Sequence, residues 1–410
     1  MNSTQNNNWQ TKKLGEVCKT TSGGTPSRRS PNYYNGTIPW VKSGELDKGV
    51  IYDTEEKITE EAIKNSSAKI FPKGTLLIAL YGATIGKLAF LGVDSATNQA
   101  VCGIFENENI VSKYLYYFLL FNKPKLVQQG IGGAQPNISQ TILKNLDLPI
   151  PDLTTQHLIV SKIETLFSEL DQGIAELKKA QEQLKTYRQS VLKYAFEGRF
   201  TNPNIKEGEL PKGWEWKTLK EITNKVAKVK RKEMSSKDEF IYLDIGGINN
   251  ENNKIDSYKT YKWIEAPSRA QQIVKFGDIL FSTVRTYMKN IAVVDKEKFN
   301  NQIASSGFTV LRANDNMDYK YVFYNLISDI FLNPLNELQT GSSYPAVRDS
   351  DVLSQKINVP PLSEQHLIVQ EIESRLSVAD KMAETISESL QKAEALRQSI
   401  LKKAFSGKLV

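Results

Sequence analysis

Histidine and cysteine are scarce in this chain of 410 residues, which contains two of each. Cys18 and Cys102 lack both the close spacing of a zinc site and the number needed for a disulfide framework. We therefore expect two small, buried, free thiols and a reducing compartment. His157 and His366 have no Cys, Asp or His neighbour at metal-ligand spacing. The sequence thus predicts no metal site, and we interpret the histidines as packing or partner-contact residues.

Long apolar runs are also missing. The opening "MNSTQNNNWQTKKLG" has no apolar segment of the signal-peptide kind, and no stretch approaches the roughly 18 apolar residues of a membrane helix. With 40% hydrophobic and 24% charged residues, the composition is typical of a soluble globular protein. We expect a cytoplasmic protein without membrane contact, built from roughly two to four domains.

Motifs of catalysis are missing too. The sequence has no NPPY-type motif of adenine methyltransferases, no GxGxxG after a predicted strand, and no acidic-acidic-lysine nuclease core that can be placed. "GATIGK" from Gly82 resembles a phosphate-binding loop, but three residues separate its glycines where four are needed. Leu88 also follows where a magnesium-binding Ser or Thr belongs. The sequence therefore does not predict an enzyme that acts alone.

What the chain does contain is an internal repeat. At an offset of 209 residues, segment 148–200 aligns without gaps with segment 357–409, and both contain QHLIV. Their endings are "RQSVLKYAFEGRF" and "RQSILKKAFSGKL". Further upstream, at an offset of 203, "FPKGTLLI" from Phe71 aligns with "VKFGDILF" from Val274. The matches keep their order over nearly the whole chain, which predicts two similar halves, each a longer segment followed by a helical one.

The two repeated segments, 153–200 and 362–410, are predicted to be long helices. Each has one apolar stripe with alternating three- and four-residue spacing, and neither contains proline. Gly198 and Gly407 stand where a C-terminal cap is expected. A helix of this length is about 60 Å long at 1.5 Å per residue, and one apolar stripe needs a partner to bury it. We expect the two helices to pair as an intramolecular antiparallel coiled coil.

The longer segments, 1–152 and 201–361, mix predicted strands with short helices. Strand patterns are "GTLLIAL", "KLAFLGV", "GDILFSTV" and "IAVV", and helix patterns are "KYLYYFLL" and "KYVFYNLIS". Each segment is expected to be one α+β domain, with a net charge of +3. The predicted fold class is therefore α+β: two similar α+β domains separated by two long helices.

Candidate nucleic-acid-binding residues lie in the loops of both longer segments. "TTSGGTPSRRSPNYYNG", from Thr20, can offer backbone amides and guanidinium groups to phosphates, and "NKVAKVKRKEMSSK", from Asn224, is its basic counterpart. Amide side chains suit adenine, and Arg or Lys suits guanine, in the major groove. The alternatives are solvated loops for the two basic stretches and turn chemistry for the amides.

The candidates for DNA contact fall in matching parts of the two halves. In the first half they are Ser22, Gly23, Gly24, Thr25, Ser27, Arg28, Lys42, Tyr81, Thr84, Lys87, Asn98, Gln99, Gln135 and Asn137. In the second half they are Lys228, Lys230, Arg231, Arg285, Tyr287, Lys289, Asn301, Gln302, Ser343, Tyr344 and Arg348.

Three stretches carry a resemblance to a known family: "LPIPDLTTQHLIVSKIE", "RQSVLKYAFEGRF" and "SGGTPSRRSPNYYNGTIPWVKSGEL". Together with the alternation of two α+β segments and two similar helices, they make the chain resemble the specificity subunit of type I DNA restriction-modification systems. The resemblance covers essentially the whole chain. The second half departs from it, with "NKVAKVKRKEMSSKDEFIYLDIGGI" in place of the Gly-Gly-Thr-Pro stretch.

The resemblance implies a non-catalytic subunit with two target-recognition domains, 1–152 and 201–361, each reading one half of a split double-stranded DNA site. The helices 153–200 and 362–410 would space these domains and dock two modification (methyltransferase) subunits. Restriction (motor-nuclease) subunits would complete the complex. S-adenosylmethionine, ATP and magnesium would belong to those partners, and this subunit would carry no cofactor. The alternative is a coiled-coil scaffold whose globular domains bind proteins rather than DNA.

Overall fold

A computed structural model of the chain describes residues 9–130, 137–206 and 208–410. The chain divides into two compact units. Unit 1 comprises Met1–Leu177 and Glu388–Val410, and unit 2 comprises Lys178–Ser387.

The elements follow a similar order in both halves of the chain. In the first half they are β1 (Gln10–Lys13), α1 (Leu14–Val17), β2 (Thr20–Ser22), β3 (Tyr34–Val41), β4 (Gly49–Ile51), β5 (Lys57–Ile58), α2 (Glu60–Lys64), β6 (Ile70–Phe71), β7 (Leu76–Ala79), β8 (Leu88–Leu91), β9 (Ser95–Thr97), β10 (Val101–Ile104), α3 (Ser112–Gln128), α4 (Gln140–Lys144), β11 (Asp147–Ile150) and the long helix α5 (Leu153–Phe196). In the second half they are β12 (Glu215–Thr218), α6 (Leu219–Ile222), β13 (Thr223–Asn224), β14 (Glu239–Leu243), β15 (Ile248–Asn249), β16 (Lys254–Ile255), β17 (Lys259–Lys262), β18 (Ala270–Ile273), β19 (Ile279–Ser282), β20 (Ile291–Val293), β21 (Ile303–Ser305), β22 (Phe308–Ala313), α7 (Tyr319–Leu326), α8 (Asp329–Asn336), α9 (Asp349–Ser354), β23 (Lys356–Val359) and the long helix α10 (Leu362–Phe405).

Two mixed sheets form the centre of unit 1. The larger has the strand order β2-β10-β7-β8-β4, and the smaller has the order β5-β3-β9-β6. All four residues of β7 are buried. Leu76 and Ile78 enter one hydrophobic core, and Leu77 and Ala79 enter another, because side chains alternate between the two faces of a strand. A strand covered on both faces is apolar throughout, which explains the continuous run "TLLIAL".

Unit 2 repeats this topology. Its sheet β13-β22-β19-β20 matches β2-β10-β7-β8, and its sheet β17-β14-β21-β18 matches β5-β3-β9-β6. Where unit 1 adds β4 to the larger sheet, unit 2 has a separate hairpin, β15-β16. The duplication found in the sequence therefore extends to the order of the strands.

A buried glutamine fixes the start of α5 in unit 1. The side chain of Gln156 is fully buried. Its Oε1 accepts the amide of Val111 at 2.8 Å, and its Nε2 donates to the carbonyls of Asn109 at 3.0 Å and Pro151 at 2.9 Å. These three bonds compensate the loss of hydration on burial, and they tie the long helix to the residues just before α3.

Gln365 does the same at the start of α10 in unit 2. It accepts the amide of Asp318 at 2.9 Å and donates to the carbonyls of Asn316 at 3.2 Å and Pro360 at 2.9 Å. Asp318 directly precedes α7, just as Val111 directly precedes α3. The two copies of QHLIV thus make equivalent contacts through their glutamines.

The histidines of the same motif are exposed. Both His157 and His366 lie on the outer side of the helix starts, and Nε2 of His366 is 3.6 Å from a carboxylate oxygen of Asp318. Packing in a core is therefore the wrong interpretation of the two histidines. Partner contact stays a prediction.

The end of the other long helix completes the core of each unit. In unit 1, the ring of Phe405 from α10 packs on Tyr114 and Phe118 of α3, with centroids 5.2 Å and 5.5 Å apart. In unit 2, the ring of Phe196 from α5 packs on Tyr321 of α7 at 5.5 Å. Both phenylalanines occupy the same place in the matched helix endings. The long helix of each repeat therefore supplies the closing side chain for the core of the other repeat.

Within each unit the two long-helix segments run antiparallel. In unit 1, Arg397, near the end of α10, forms an ion pair with Asp171, in the first part of α5. In unit 2, Arg188, near the end of α5, pairs with Asp380, in the first part of α10, at 2.6 Å. The two pairs are equivalents at the offset of 209. Exposed pairs of this kind contribute at most about 1 kcal/mol, so the apolar stripes provide most of the stability.

Glycines end both long helices, as the sequence predicts. Gly198 and Gly407 have left-handed φ values of +77° and +69°. The amide of Arg199 then donates back to the carbonyl of Tyr194 at 3.1 Å, which satisfies one of the last carbonyls of α5.

The fold class predicted from the sequence is confirmed: the chain is α+β with two long helices. The four strand patterns are confirmed as β7, β8, β19 and β20, and the two helix patterns as α3 and α7. Helix α3 continues to Gln128, well past the predicted pattern, with Pro124 inside it.

The buried glutamine gives a stability prediction. Replacing Gln365 by Leu leaves one amide and two carbonyls without their partner, so the free energy of unfolding should fall by about 2–4 kcal/mol. Urea denaturation of the full chain measures this change. His366→Ala, at the adjacent exposed position, is the matched control and should change it by less than about 0.5 kcal/mol. Equal effects of the two substitutions would contradict the role assigned to the glutamine.

Candidate nucleic-acid interface

A tight turn joins the strands β7 and β8 in unit 1, and an equivalent turn joins β19 and β20 in unit 2. The unit 1 turn runs from Gly82 to Gly86, and the unit 2 turn runs from Arg285 to Lys289, at the offset of 203. The first and last residues of both turns have left-handed backbones. Their φ values are +62° and +75° in unit 1 and +50° and +54° in unit 2. The second half thus carries two cations where the first half carries glycines.

A left-handed backbone costs a residue with a Cβ roughly 1–2 kcal/mol, so the surroundings must hold the unit 2 turn in place. The amide of Arg285 donates to the carbonyl of Pro345 at 2.7 Å, and its Nη2 donates to the carbonyl of Ser343 at 3.1 Å. The guanidinium also lies over the ring of the exposed Tyr344, 4.8 Å from its centroid. This stack fixes the direction of the guanidinium.

Lys289 anchors the other end of the unit 2 turn. Its Nζ forms an ion pair with Asp329 at 2.7 Å and donates to the carbonyl of Ile327 at 3.2 Å. The side chain is thereby tied to the start of α8, which leaves Arg285 as the cation of this turn with the freer donors.

In each unit a second segment of the chain crosses the turn; this crossing segment contains Asn137 in unit 1 and Ser343–Ala346 in unit 2. In unit 1, Asn137 forms an isolated β-bridge with Tyr81, and in unit 2 Ala346 forms the equivalent bridge with Val284. The crossing segments therefore bring together candidates that are distant in sequence. In unit 2 these include Ser343 and Tyr344. Gln135, the candidate two residues before Asn137, lies outside the described residues.

Two of the three candidates at the unit 1 turn are already bonded within unit 1. Tyr81 is exposed. The hydroxyl of Thr84 donates to the carbonyl of Tyr81 at 2.7 Å, within the turn itself. Lys87 forms an ion pair with Asp47 at 2.9 Å. A DNA contact by Lys87 requires this side chain to exchange the carboxylate for a phosphate or a base.

The Gly-Gly pair of the first half has a structural role. The amide of Gly23 donates to the carbonyl of Val101 at 3.1 Å, and that of Gly24 donates to the carbonyl of Thr97 at 2.9 Å. A Cβ on Gly23 would lie 2.1 Å from an oxygen of Thr97, so a larger residue does not fit. Both amides are engaged within unit 1 and are not available to a phosphate, contrary to the expectation from composition.

The two candidate cations that follow the Gly-Gly pair in the sequence, Arg28 and Lys42, have carboxylate partners. Arg28 pairs with Glu56 at 2.7 Å and lies over the ring of Tyr34 at 4.4 Å. Lys42 pairs with Glu55 at 3.0 Å and with Glu56 at 3.1 Å. The pKa of the Glu56 carboxyl is lowered, above all by the hydrogen bond from Arg28, and the hydrogen bond from Lys42 adds to this. Arg28 remains exposed, and its contact with DNA stays a prediction.

The small polar residues of the same stretch bond locally. Ser22 Oγ accepts from Gln140 at 2.8 Å, Thr25 donates to Gln99, and Ser27 Oγ accepts the amide of Arg29 at 3.3 Å. The hydroxyls of Thr25 and Ser27 are exposed, so these bonds can open in exchange for a phosphate.

Turn chemistry accounts for several of the amide candidates. Oδ1 of Asn98 accepts the amide of Ala100 at 3.2 Å, and Oε1 of Gln302 accepts the amide of Ile241 at 2.7 Å. Asn301 is exposed and left-handed, with φ of +59°, as Asn readily is in turns. For Asn98 and Gln302, a role in shaping the backbone is the better explanation.

The basic segment of the second half is exposed. Lys230 pairs with Glu233 at 3.1 Å, and Arg231 donates to the carbonyls of Pro267 and, at 3.5 Å, Ala270. Lys228 joins the backbone of Gln272 in an isolated bridge. In the other part of unit 2, the amide of the exposed Arg348 donates to Asp351 at 2.8 Å, at the start of α9.

The described ranges contain no group of three His, Cys, Asp or Glu side chains that could hold a metal ion. No helix within them is long and apolar enough to cross a membrane. The "GATIGK" stretch leads from β7 through a short 3₁₀ turn into β8 rather than into an α-helix, so it is not a phosphate-binding loop.

Sequence reasoning missed three residues of the unit 2 turn and its support: Met288, Asn250 and Asn253. Met288 is exposed beside Tyr287. Asn250 and Asn253 donate to the turn's carbonyls. The signal that could have found Met288 is the comparison at the offset of 203, which sets "RTYMK" against "GATIG"; this comparison does not include Asn250 and Asn253.

The comparison with protein families gives one match that occurs in both halves. The family model described as Type I restriction modification DNA specificity domain matches residues 6–179 and 211–392. Each match contains one turn and its crossing segment.

The chain is also similar to known specificity subunits. The type I restriction enzyme EcoDI specificity subunit of Escherichia coli is 23% identical, over 98% of this chain and 88% of the relative. The type I restriction enzyme MjaIX specificity subunit of Methanocaldococcus jannaschii is 32% identical, over 52% of this chain and 51% of the relative.

Solved structures have the same fold. A chain from a structure on complex assembly and conformational transition of the type I R-M system superposes with a TM-score of 0.74, at 21% identity over 98% of each chain. The HsdS subunit from Thermoanaerobacter tengcongensis superposes with a TM-score of 0.59, at 20% identity over 98% of this chain and 97% of that one. Since the family model covers most of both halves, the chain belongs to the type I restriction-modification DNA specificity family, whose members are specificity subunits and not enzymes.

Proposed function

We propose that this specificity subunit recognises a bipartite DNA target, one half through residues 1–152 and the other through residues 201–361. It then directs methyltransferase and restriction subunits to that target. The observation that carries the proposal is the repeated arrangement of turn and crossing segment, which keeps its backbone in both units while its side chains differ.

A constant frame with variable side chains is what recognition of two different half-sites requires. The strand orders of the two units correspond, and so do the bridges of the crossing segments. At the ends of the turn, by contrast, unit 1 has Gly82 and Gly86, and unit 2 has Arg285 and Lys289. Since base edges are distinguished by the donors and acceptors offered to them, this difference implies different half-sites.

Arg285 is the strongest candidate for a base contact. Its stack on Tyr344 and its bond to the carbonyl of Ser343 hold the guanidinium in one direction. A guanidinium with remaining donors and a fixed plane suits the N7 and O6 acceptors of guanine. We therefore expect a guanine in the second half-site.

The starts of the long helices are proposed as docking sites for the modification subunits. Leu158 in unit 1 and Leu367 in unit 2 are exposed by 55% and 58%, each beside an exposed histidine. Exposed apolar side chains that recur at equivalent positions favour two copies of one partner. In this proposal S-adenosylmethionine, ATP and magnesium are bound by the partner subunits, and this subunit has no cofactor.

The alternative function, a scaffold whose domains bind proteins, is separated from this proposal by exchanging one domain. Residues 1–152 would be replaced by the corresponding domain of another specificity subunit, and adenine methylation would be mapped in cells that also contain the modification subunits. One half of the methylated motif should change while the other half stays the same. An unchanged motif would rule out DNA reading by this domain.

Arg285→Gly tests the base contact with little risk to the fold. Glycine is the residue at the equivalent position of unit 1, and it relieves the left-handed strain, so the free energy of unfolding should not fall. Binding to the second half-site should weaken by about 1–3 kcal/mol, with its preference relaxed at one base pair.

The measurement is a titration of the complex with DNA in which each half-site is varied separately. Arg269→Ala removes the same charge from an exposed position of unit 2 and is the control. A uniform loss over all DNA sequences would make Arg285 a phosphate contact, and no loss would exclude it from the interface.

The docking sites are tested by Leu158→Asp and Leu367→Asp. Each variant should bind one modification subunit fewer, and the double variant should bind none, because a carboxylate in an apolar contact is strongly unfavourable. Native mass spectrometry of the reconstituted complex gives the stoichiometry. Val378→Asp is the control: Val378 is 57% exposed, but its equivalent in the first half is the polar Glu169. Full stoichiometry in both single variants would refute the assignment.

A further inference from the structure

The tip of the unit 2 turn differs from its counterpart in exposure as well as in charge. At the offset of 203, Thr84 corresponds to Tyr287 and Ile85 corresponds to Met288. Ile85 is 3% exposed and belongs to the core of unit 1, whereas Met288 is 39% exposed and Tyr287 is 54% exposed. The second half therefore holds two neighbouring apolar side chains in solvent where the first half buries one.

The backbone beneath these two side chains is held by the hairpin β15-β16. Asn250 donates to the carbonyl of Met288 at 2.9 Å. Asn253 donates to the carbonyls of Lys289 at 3.0 Å and Ile291 at 3.1 Å. This hairpin has no equivalent in the larger sheet of unit 1, where β4 is present instead. The tip is thus braced by an element specific to the second half.

The other side of the turn is fixed by helix α8. Thr286 donates from its hydroxyl to Oδ1 of Asn336 at 2.6 Å, and Lys289 is paired with Asp329 as described. A turn held on both sides loses little conformational entropy when it binds. Exposed apolar side chains on such a preorganised turn are suited to insertion into a partner.

We propose that Tyr287 and Met288 form a wedge that inserts between stacked bases of the second half-site, with Arg285 at its foot facing the DNA. The inference rests on the proposed DNA-reading function. A tyrosine ring and a thioether can replace the stacking contact that a base loses, and apolar residues of this kind open base steps in DNA-bound proteins.

The wedge adds a specificity element that does not depend on base edges. Opening a step costs least at flexible pyrimidine–purine steps, so the second half-site should contain such a step at the wedge position. The unit 1 turn, with its buried Ile85, has no such wedge. The distortion should therefore be confined to the second half-site.

The proposal is tested with 2-aminopurine placed in turn at each position of the second half-site, in the complex of the full chain with its modification subunits. Unstacked 2-aminopurine fluoresces more strongly than stacked 2-aminopurine. Binding of the wild-type complex should brighten the probe at one step, and the Tyr287→Ala, Met288→Ala double variant should abolish this signal. Tyr287→Phe keeps the ring and should retain it. A probe placed instead of the adenine that the methyltransferase flips is a separate control: it should brighten in every variant, which reports assembly of the complex.

Binding affinity gives the second readout. The double variant should bind the intact site roughly tenfold more weakly, but it should bind a site with a mismatch at that step within about threefold of the wild type. Equal losses on both substrates, or equal brightening of the probe at the wedge step in the double variant, would overturn the wedge. Neither result affects the proposed function, which fails instead if exchange of a domain leaves the methylated motif unchanged.

Discussion

The buried amide side chains of Gln156 and Gln365 are the contacts on which the arrangement of each unit depends. Each joins the start of a long helix to the loop before a shorter helix, and each satisfies three backbone groups. An apolar side chain would leave these groups unpaired, and a carboxylate could accept but not donate. These bonds therefore fix the direction in which each long helix starts. That direction allows the apolar stripes of the helices to pair.

The two halves keep a common frame and differ in the turns that the frame presents. The sheets keep their order, and the closing phenylalanines keep their positions. The turns differ in their side chains, and they lie at the ends of paired strands and are supported from outside the sheet. Unit 2 holds its strained Arg285 with the crossing segment and its tip with an additional hairpin. A protein that must read two different sequences can change these supports without changing its cores.

The sequence predicted the repeat, the fold class and the elements with strong periodicity, because a strand such as β7 is buried on both faces and a long helix has a continuous stripe. It did not show that glutamine rather than histidine is the buried residue of QHLIV. That depends on the partner amides, which lie 45 and 47 residues away in the chain. Composition also misassigned Gly23 and Gly24, whose amides donate to two strands, β10 and β9, that sequence reasoning did not place beside them. Arg285 was found as a cation, but its left-handed backbone becomes visible only when the two turns are aligned.

Unit 1 is made of two stretches from opposite ends of the chain, Met1–Leu177 and Glu388–Val410, whereas unit 2 is continuous. During synthesis, the ring of Phe405 leaves the ribosome only after every residue of unit 2 has been made. The first domain to emerge is therefore the last that can close its core, and its aromatic helix α3 stays partly uncovered until then. Such closure between distant segments is slow. Loss of a short C-terminal stretch would accordingly expose the core of the N-terminal domain, while unit 2 would retain all of its own residues.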